Sequence, residues 1–126
     1  MYSVNIINEG DSVFKINSKD YGFLVDTKGN GITPPDTLLA GLGSCIGVYI
    51  AKYLEGARIS SRGFSVSVKA DFCKDRPVRF SRIDVSIDLA GLQIDEQRRG
   101  AMIQFLKNCP VHNTLKSNPD IEIKIV

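Results

Sequence analysis

The chain has 126 residues, with 16 Lys and Arg against 14 Asp and Glu and a formal net charge of +2. That length fits a single domain over residues 1–126, able to bury roughly two-thirds of its unfolded surface without a disulfide or metal staple. The scattered, nearly balanced charge excludes the basic stripe of a nucleic-acid binder, and three cysteines, an odd number, argue against a secreted disulfide framework.

The first 26 residues read as three short strands. Tyr2, Val4 and Ile6 alternate with polar neighbours, as do Phe14 with Ile16, and Tyr21, Phe23 and Val25. Glu9-Gly10-Asp11 and Ser18-Lys19-Asp20 supply turn chemistry between them. No basic start or apolar signal core stands in MYSVNIINEG, so the expectation is a protein of a reducing cytoplasm.

Thr33-Pro34-Pro35-Asp36 is a helix start. Thr33 suits the N-cap, Pro34 the first helical position, and Asp36 closes a capping box. The helix is expected to run to Glu55, with Gly56 as its stop. Its uncharged stretch, Thr37 to Ala51, is too short and too glycine-rich for a membrane span. Gly41, Gly43 and Gly47 each cost about 1 kcal/mol against alanine, which calls for close approach of another helix or backbone. Gly41, Ser44, Cys45 and Val48 share one face, so this helix is expected at the centre of the fold, against a partner such as its own symmetry mate.

Period two then returns. Phe64, Val66, Val68, Ala70 and Phe72 form one face of a strand, and Ser65, Ser67, Lys69, Asp71 and Cys73 the other. After a turn at Lys74-Asp75-Arg76-Pro77, a second strand presents Ile83, Val85, Ile87 and Leu89 inward. Asp95 caps a second helix with Met102, Phe105 and Leu106 as its buried stripe. Ile121, Ile123 and Ile125 predict a last strand. The class is α+β, with antiparallel sheets packed on helices.

The chemistry lies in the cysteines. Cys109 precedes Pro110 and so falls at the N-cap of a short helix, where N–H groups and the helix dipole lower a thiol pKa. The plainer alternative is a small buried residue between two helices. His112, one turn on, either assists that thiolate or is a polar surface residue. Cys45, amid Gly41, Leu42, Val48 and Tyr49, reads as core unless a group elsewhere in the fold activates it. An activated thiol and a sheltered one in the same chain suggest a working pair, one attacking and the other resolving. Cys73 reads as a surface residue. Asp36 is a capping carboxylate that can also orient a cation near the thiols. Cys109 and His112 have half of a zinc-site spacing, but no second pair exists and His112 is the sole histidine, so no metal or cofactor is expected. An acyl-transfer dyad of Cys109 and His112 lacks a group to orient the imidazole.

Pro35-Asp36-Thr37-Leu38-Leu39-Ala40-Gly41-Leu42-Gly43-Ser44-Cys45 resembles the first cysteine motif of the OsmC/Ohr superfamily. Asn108-Cys109-Pro110-Val111-His112-Asn113-Thr114-Leu115 resembles its second, and Arg79-Phe80-Ser81-Arg82-Ile83 the strand after the family's hairpin turn. The resemblance implies an intertwined homodimer around a central glycine-rich helix, with two interface sites. It implies a thiol peroxidase for organic hydroperoxides in oxidative-stress defence, with Cys45 attacking, Cys109 resolving and an external dithiol as reductant. Asp36 falls at or within one position of the family's site glutamate. Active branches also use an N-terminal arginine, whereas residues 1–57 contain none. Lys15 and Lys19 are the cations there, with Arg79 and Arg82 as substitutes from the later strand. The alternative is a non-enzymatic dimer that binds a small apolar ligand or thiol compound between subunits. Neither reading involves nucleic acid or a membrane.

Overall fold

The computed structural model describes residues 1–126, which fall into two compact units, 1–40 and 41–126. In the first unit β1 (Asn5–Asn8), β2 (Val13–Ser18) and β3 (Tyr21–Asp26) form an antiparallel sheet in the order β1-β2-β3. Tyr2 and Val4, expected in the first strand, precede it. Register places Ile6, Ile16 and Phe23 in one row, so the expected alternation is present. The turns close through side chains: Asn8 Oδ1 accepts from Gly10 N, and Asp11 Oδ1 from Val13 N. Asp26, nearly fully buried, accepts from the backbone N–H groups of Lys28 and Asn30. Burial pushes its carboxyl up, but these bonds and those from the Asn30 and Ser12 side chains prevail and hold it below the usual carboxylate value.

Helix α1 (Pro34–Gly56) begins as its sequence dictates. Thr33 Oγ1 accepts from Asp36 N at 3.3 Å and donates to Asp36 Oδ2 at 2.9 Å, a cap closed from both sides. With 23 residues, α1 is longer than its uncharged stretch, and by length and composition alone it could cross a membrane.

In the second unit, one face of α1 forms the core. Leu42, Ile46, Ile50 and Leu54, each four residues from the next, are buried with Met102, Leu106 and Cys109. Each such aliphatic side chain contributes roughly 1.5–3 kcal/mol by leaving water. Strands β4 (Ser65–Cys73) and β5 (Arg79–Asp88) pair as an antiparallel hairpin and bring Val66, Val68, Ile83, Val85 and Ile87 against this core. A Cβ on Gly43 would stand 2.9 Å from Val68 Cγ2, and one on Gly47 would stand 3.7 Å from Phe64 Cε2. These two glycines therefore admit a sheet of their own chain, where the sequence called for another helix or backbone. Gly41 has nothing within 4 Å, and Ser44 and Val48 beside it are exposed. Helix α2 (Glu96–Leu106) follows its Asp95 cap, and α3 runs Pro110–Ser117. Phe105 packs its ring on Tyr49 and Tyr53.

The β4–β5 register slips between Asp71 and Phe72, with Ser81 as the extra residue of β5, a bulge that shifts the alternation of β5. Phe72 is exposed but keeps its ring on Phe80 across the pair, whereas Cys73, expected at the surface, is half-buried. One strand expectation fails. Residues 120–126 form no strand. Ile121, Ile123 and Ile125 alternate but are exposed, and a strand exists only where another backbone pairs with it.

Candidate active site

Cys109 sits at the joint between two helices. The N–H groups of Lys107, Asn108 and Cys109 take the carbonyls of Gln104, Phe105 and Leu106, which tightens the end of α2. Pro110 then starts α3, and Cys109, in extended geometry, becomes its N-cap. Its sulfur accepts from His112 N at 3.5 Å, and the residue is fully buried.

Cys45 lies half-buried on α1 between the core residues Leu42 and Ile46. The fold brings the two thiols close enough for their side chains to interact across 64 residues of sequence, and both are free cysteines. Burial pushes the Cys109 thiol above its ordinary value, and the interaction with Cys45 adds to this. The N–H groups of His112 and Val111 pull the other way and lose. The expected fall in the Cys109 pKa is thus reversed, because desolvation at the joint outweighs the helix terminus.

The remaining candidates have partners of their own. Asp36 belongs to the first unit, where its carboxylate is held in the α1 cap. Cys73 pairs with Arg79 at the end of the hairpin. Lys15 is bound to Glu9 at 2.9 Å, and Arg82 to Asp84 at 2.9 Å. Arg79 Nη1 donates to the Pro77 carbonyl. No three His, Cys, Asp or Glu side chains are grouped to hold a metal. His112 is half-buried, with Nδ1 3.1 Å from Asn113 Oδ1.

A cavity of about 490 Å³ lies in this unit. Leu42 and Ile46 of α1, the β5 residues Phe80 to Ile83 and Val85, and His112, Leu115 and Lys116 of α3 form its wall. It shares α1 and α3 with the thiols: its Leu42 and Ile46 flank Cys45, and its His112 holds the Cys109 sulfur. Sequence reasoning missed Phe80, Leu115 and Lys116 as cavity residues, because three elements contribute them and no periodicity links them.

The sequence profile of the OsmC-like protein family matches residues 27–124. The chain belongs to that family. Solved OsmC-like structures share its fold at low identity. An OsmC-like protein from Mycoplasma pneumoniae aligns at 20% identity over 93% of this chain and 88% of its own, with a TM-score of 0.79. The organic hydroperoxide resistance protein OsmC of Legionella pneumophila aligns at 17% over 94% and 92%, with a TM-score of 0.66. An organic hydroperoxide resistance protein from Elizabethkingia anophelis aligns at 16% over 94% and 91%, with a TM-score of 0.65. No curated protein sequence matches the chain. The OsmC-like assignment covers both cysteine segments.

Proposed function

We propose that this OsmC-like protein is a thiol peroxidase for organic hydroperoxides, working in the cytoplasm as a homodimer in oxidative-stress defence. The observation that carries the reading is the pairing of two free cysteines from distant parts of the chain, the half-buried Cys45 of α1 and the buried Cys109 of the α2–α3 joint, whose side chains interact. Cys45, the more accessible sulfur, attacks the distal peroxide oxygen as the thiolate. The O–O bond breaks, the alkoxide takes a proton and leaves as alcohol, and Cys45 becomes a sulfenic acid. Cys109 attacks that sulfur and water leaves, giving a disulfide that an external dithiol reduces by exchange. The apolar part of the cavity wall, Leu42, Ile46, Phe80, Ile83, Val85 and Leu115, favours substrates with a bulky apolar group over hydrogen peroxide. Asp36 serves as the carboxylate that caps α1.

A second reading rests on the cations. Both Lys15 and Arg82 are committed to carboxylates, which favours a dimer that binds a small apolar ligand or thiol compound without turnover.

Rapid-quench mass spectrometry of reduced protein mixed with cumene hydroperoxide or hydrogen peroxide separates the two. The peroxidase reading expects faster oxidation by cumene hydroperoxide and a Cys45–Cys109 bond. It expects no first turnover in Cys45→Ser, and a single turnover ending in Cys45 sulfenic acid in Cys109→Ser. Equal, slow oxidation of all three proteins favours the binding reading.

A further inference from the structure

Helix α3 has eight residues, none of them fully buried. A helix this short has little stability of its own in water. Val111 packs on the core, and two bonds hold the first turns: Cys109 Sγ accepts from His112 N, and Thr114 Oγ1 donates to the Pro110 carbonyl. The sulfur that caps α3 is also the sulfur that interacts with Cys45. At its other end α3 supplies His112, Leu115 and Lys116 to the cavity wall. One atom therefore links the state of the thiols to the wall of the cavity.

We propose that α3 is a redox-sensitive gate: formation of the Cys45–Cys109 bond withdraws the Cys109 sulfur from the helix cap, loosens α3 and opens the cavity. This rests on the peroxidase reading for its natural oxidant, an organic hydroperoxide, which takes the two electrons and leaves as alcohol and water. A disulfide needs the sulfurs about 2.0 Å apart, well inside hydrogen-bonding distance, so one of them must move. Cys45 is fixed on a 23-residue helix whose neighbours Leu42 and Ile46 are core. Cys109 is itself buried, but the eight-residue helix it leads has no buried side chain of its own, so the gate assigns the movement to this joint and α3. A disulfide sulfur is also a poorer acceptor than a thiol or thiolate. The His112 N–H loses its partner, and the wall of His112, Leu115 and Lys116 gives way. The product alcohol is then released from the oxidised protein, and the disulfide is uncovered for the external dithiol.

The test uses diamide, which oxidises two thiols to a disulfide and is itself reduced to the hydrazide, so it forms the bond whether or not the protein is a peroxidase. In the full chain with Cys73→Ser, amide exchange over residues 111–117 is measured before and after oxidation. The rate of carbethoxylation of His112, the sole histidine, is measured alongside it. Exchange in α3 should rise roughly 2- to 30-fold, the range expected for loss of an N-cap, and His112 should react faster. Cys109→Ser keeps a capping oxygen and cannot form the bond, so diamide should change neither rate there. A verified Cys45–Cys109 disulfide with α3 and His112 unchanged overturns the gate and leaves the peroxidase reading standing. Failure of diamide to join the two cysteines overturns both the gate and the resolving role of Cys109. A disulfide that forms with diamide but not with hydroperoxide overturns the peroxidase reading alone.

Discussion

Cys109 shows how burial and a helix terminus compete for one atom. Two N–H groups favour its thiolate, yet enclosure at the α2–α3 joint and the interaction with Cys45 hold the proton on. The sign for stability follows. The native state retains a proton that the unfolded chain releases near the ordinary thiol value of 9.0. Stability from this group is therefore complete below that pH and declines as pH rises through the higher native value. Urea denaturation of the reduced protein at pH steps from 7 to 10.5 should show a falling midpoint above about pH 9. The fall should be smaller in Cys109→Ser, where nothing titrates at that position.

Among the elements, α1 carries the most informative residues. Alanine in place of Gly43 gains about 1 kcal/mol of helix propensity, but its methyl would meet Val68 Cγ2 at 2.9 Å, and such overpacking costs about 1–3 kcal/mol. Gly47→Ala gains the same propensity and meets Phe64 at 3.7 Å, an ordinary contact. Thermal melts should therefore place Gly43→Ala below the parent protein by up to about 8 °C and Gly47→Ala above it by a few degrees. The start of α1, the Asp95 cap and the Cys109-Pro110 helix start were all legible, because each is written in adjacent residues. The partner of Gly43 was not, since β4 lies more than 20 residues on and no local pattern identifies it. The bulge at Ser81 was hidden for a related reason: the extra residue shows only against the pairing with β4. That Cys45 and Cys109 work as a pair was suggested by their contrasting settings and by resemblance to a family. Their contact was not legible, because it depends on α1 and the α2–α3 joint meeting in space.

Taken whole, the molecule leaves much apolar surface uncovered. Ile6, Ile7, Phe14, Phe23 and Leu24 of the first sheet are exposed, and so are Ile121, Ile123 and Ile125. A single chain rarely presents so many apolar side chains to water, and the homodimer proposed above would cover them. Sedimentation at micromolar concentration should give twice the 13.9 kDa chain mass, with an interface burying more than about 2,000 Å². Ile121→Glu combined with Ile123→Glu should shift the protein toward monomer. A monomeric parent protein would leave the exposed isoleucines without an explanation.

The distance in sequence between the two thiols also acts in time, during synthesis on the ribosome. Cys109 follows Cys45 by 64 residues, which take about 3 to 13 s to translate at 5–20 residues per second. The strand pairings are all between neighbours in the chain, β1 with β2, β2 with β3 and β4 with β5, so they form early. Cys45 can therefore emerge within partly folded structure before the sulfur it faces has been made. On the peroxidase reading proposed above, a sulfenic acid formed on Cys45 in those seconds would have no Cys109 to resolve it, and a newborn chain under oxidative stress would stay open to irreversible overoxidation or capture by a foreign thiol until Cys109 reaches its joint.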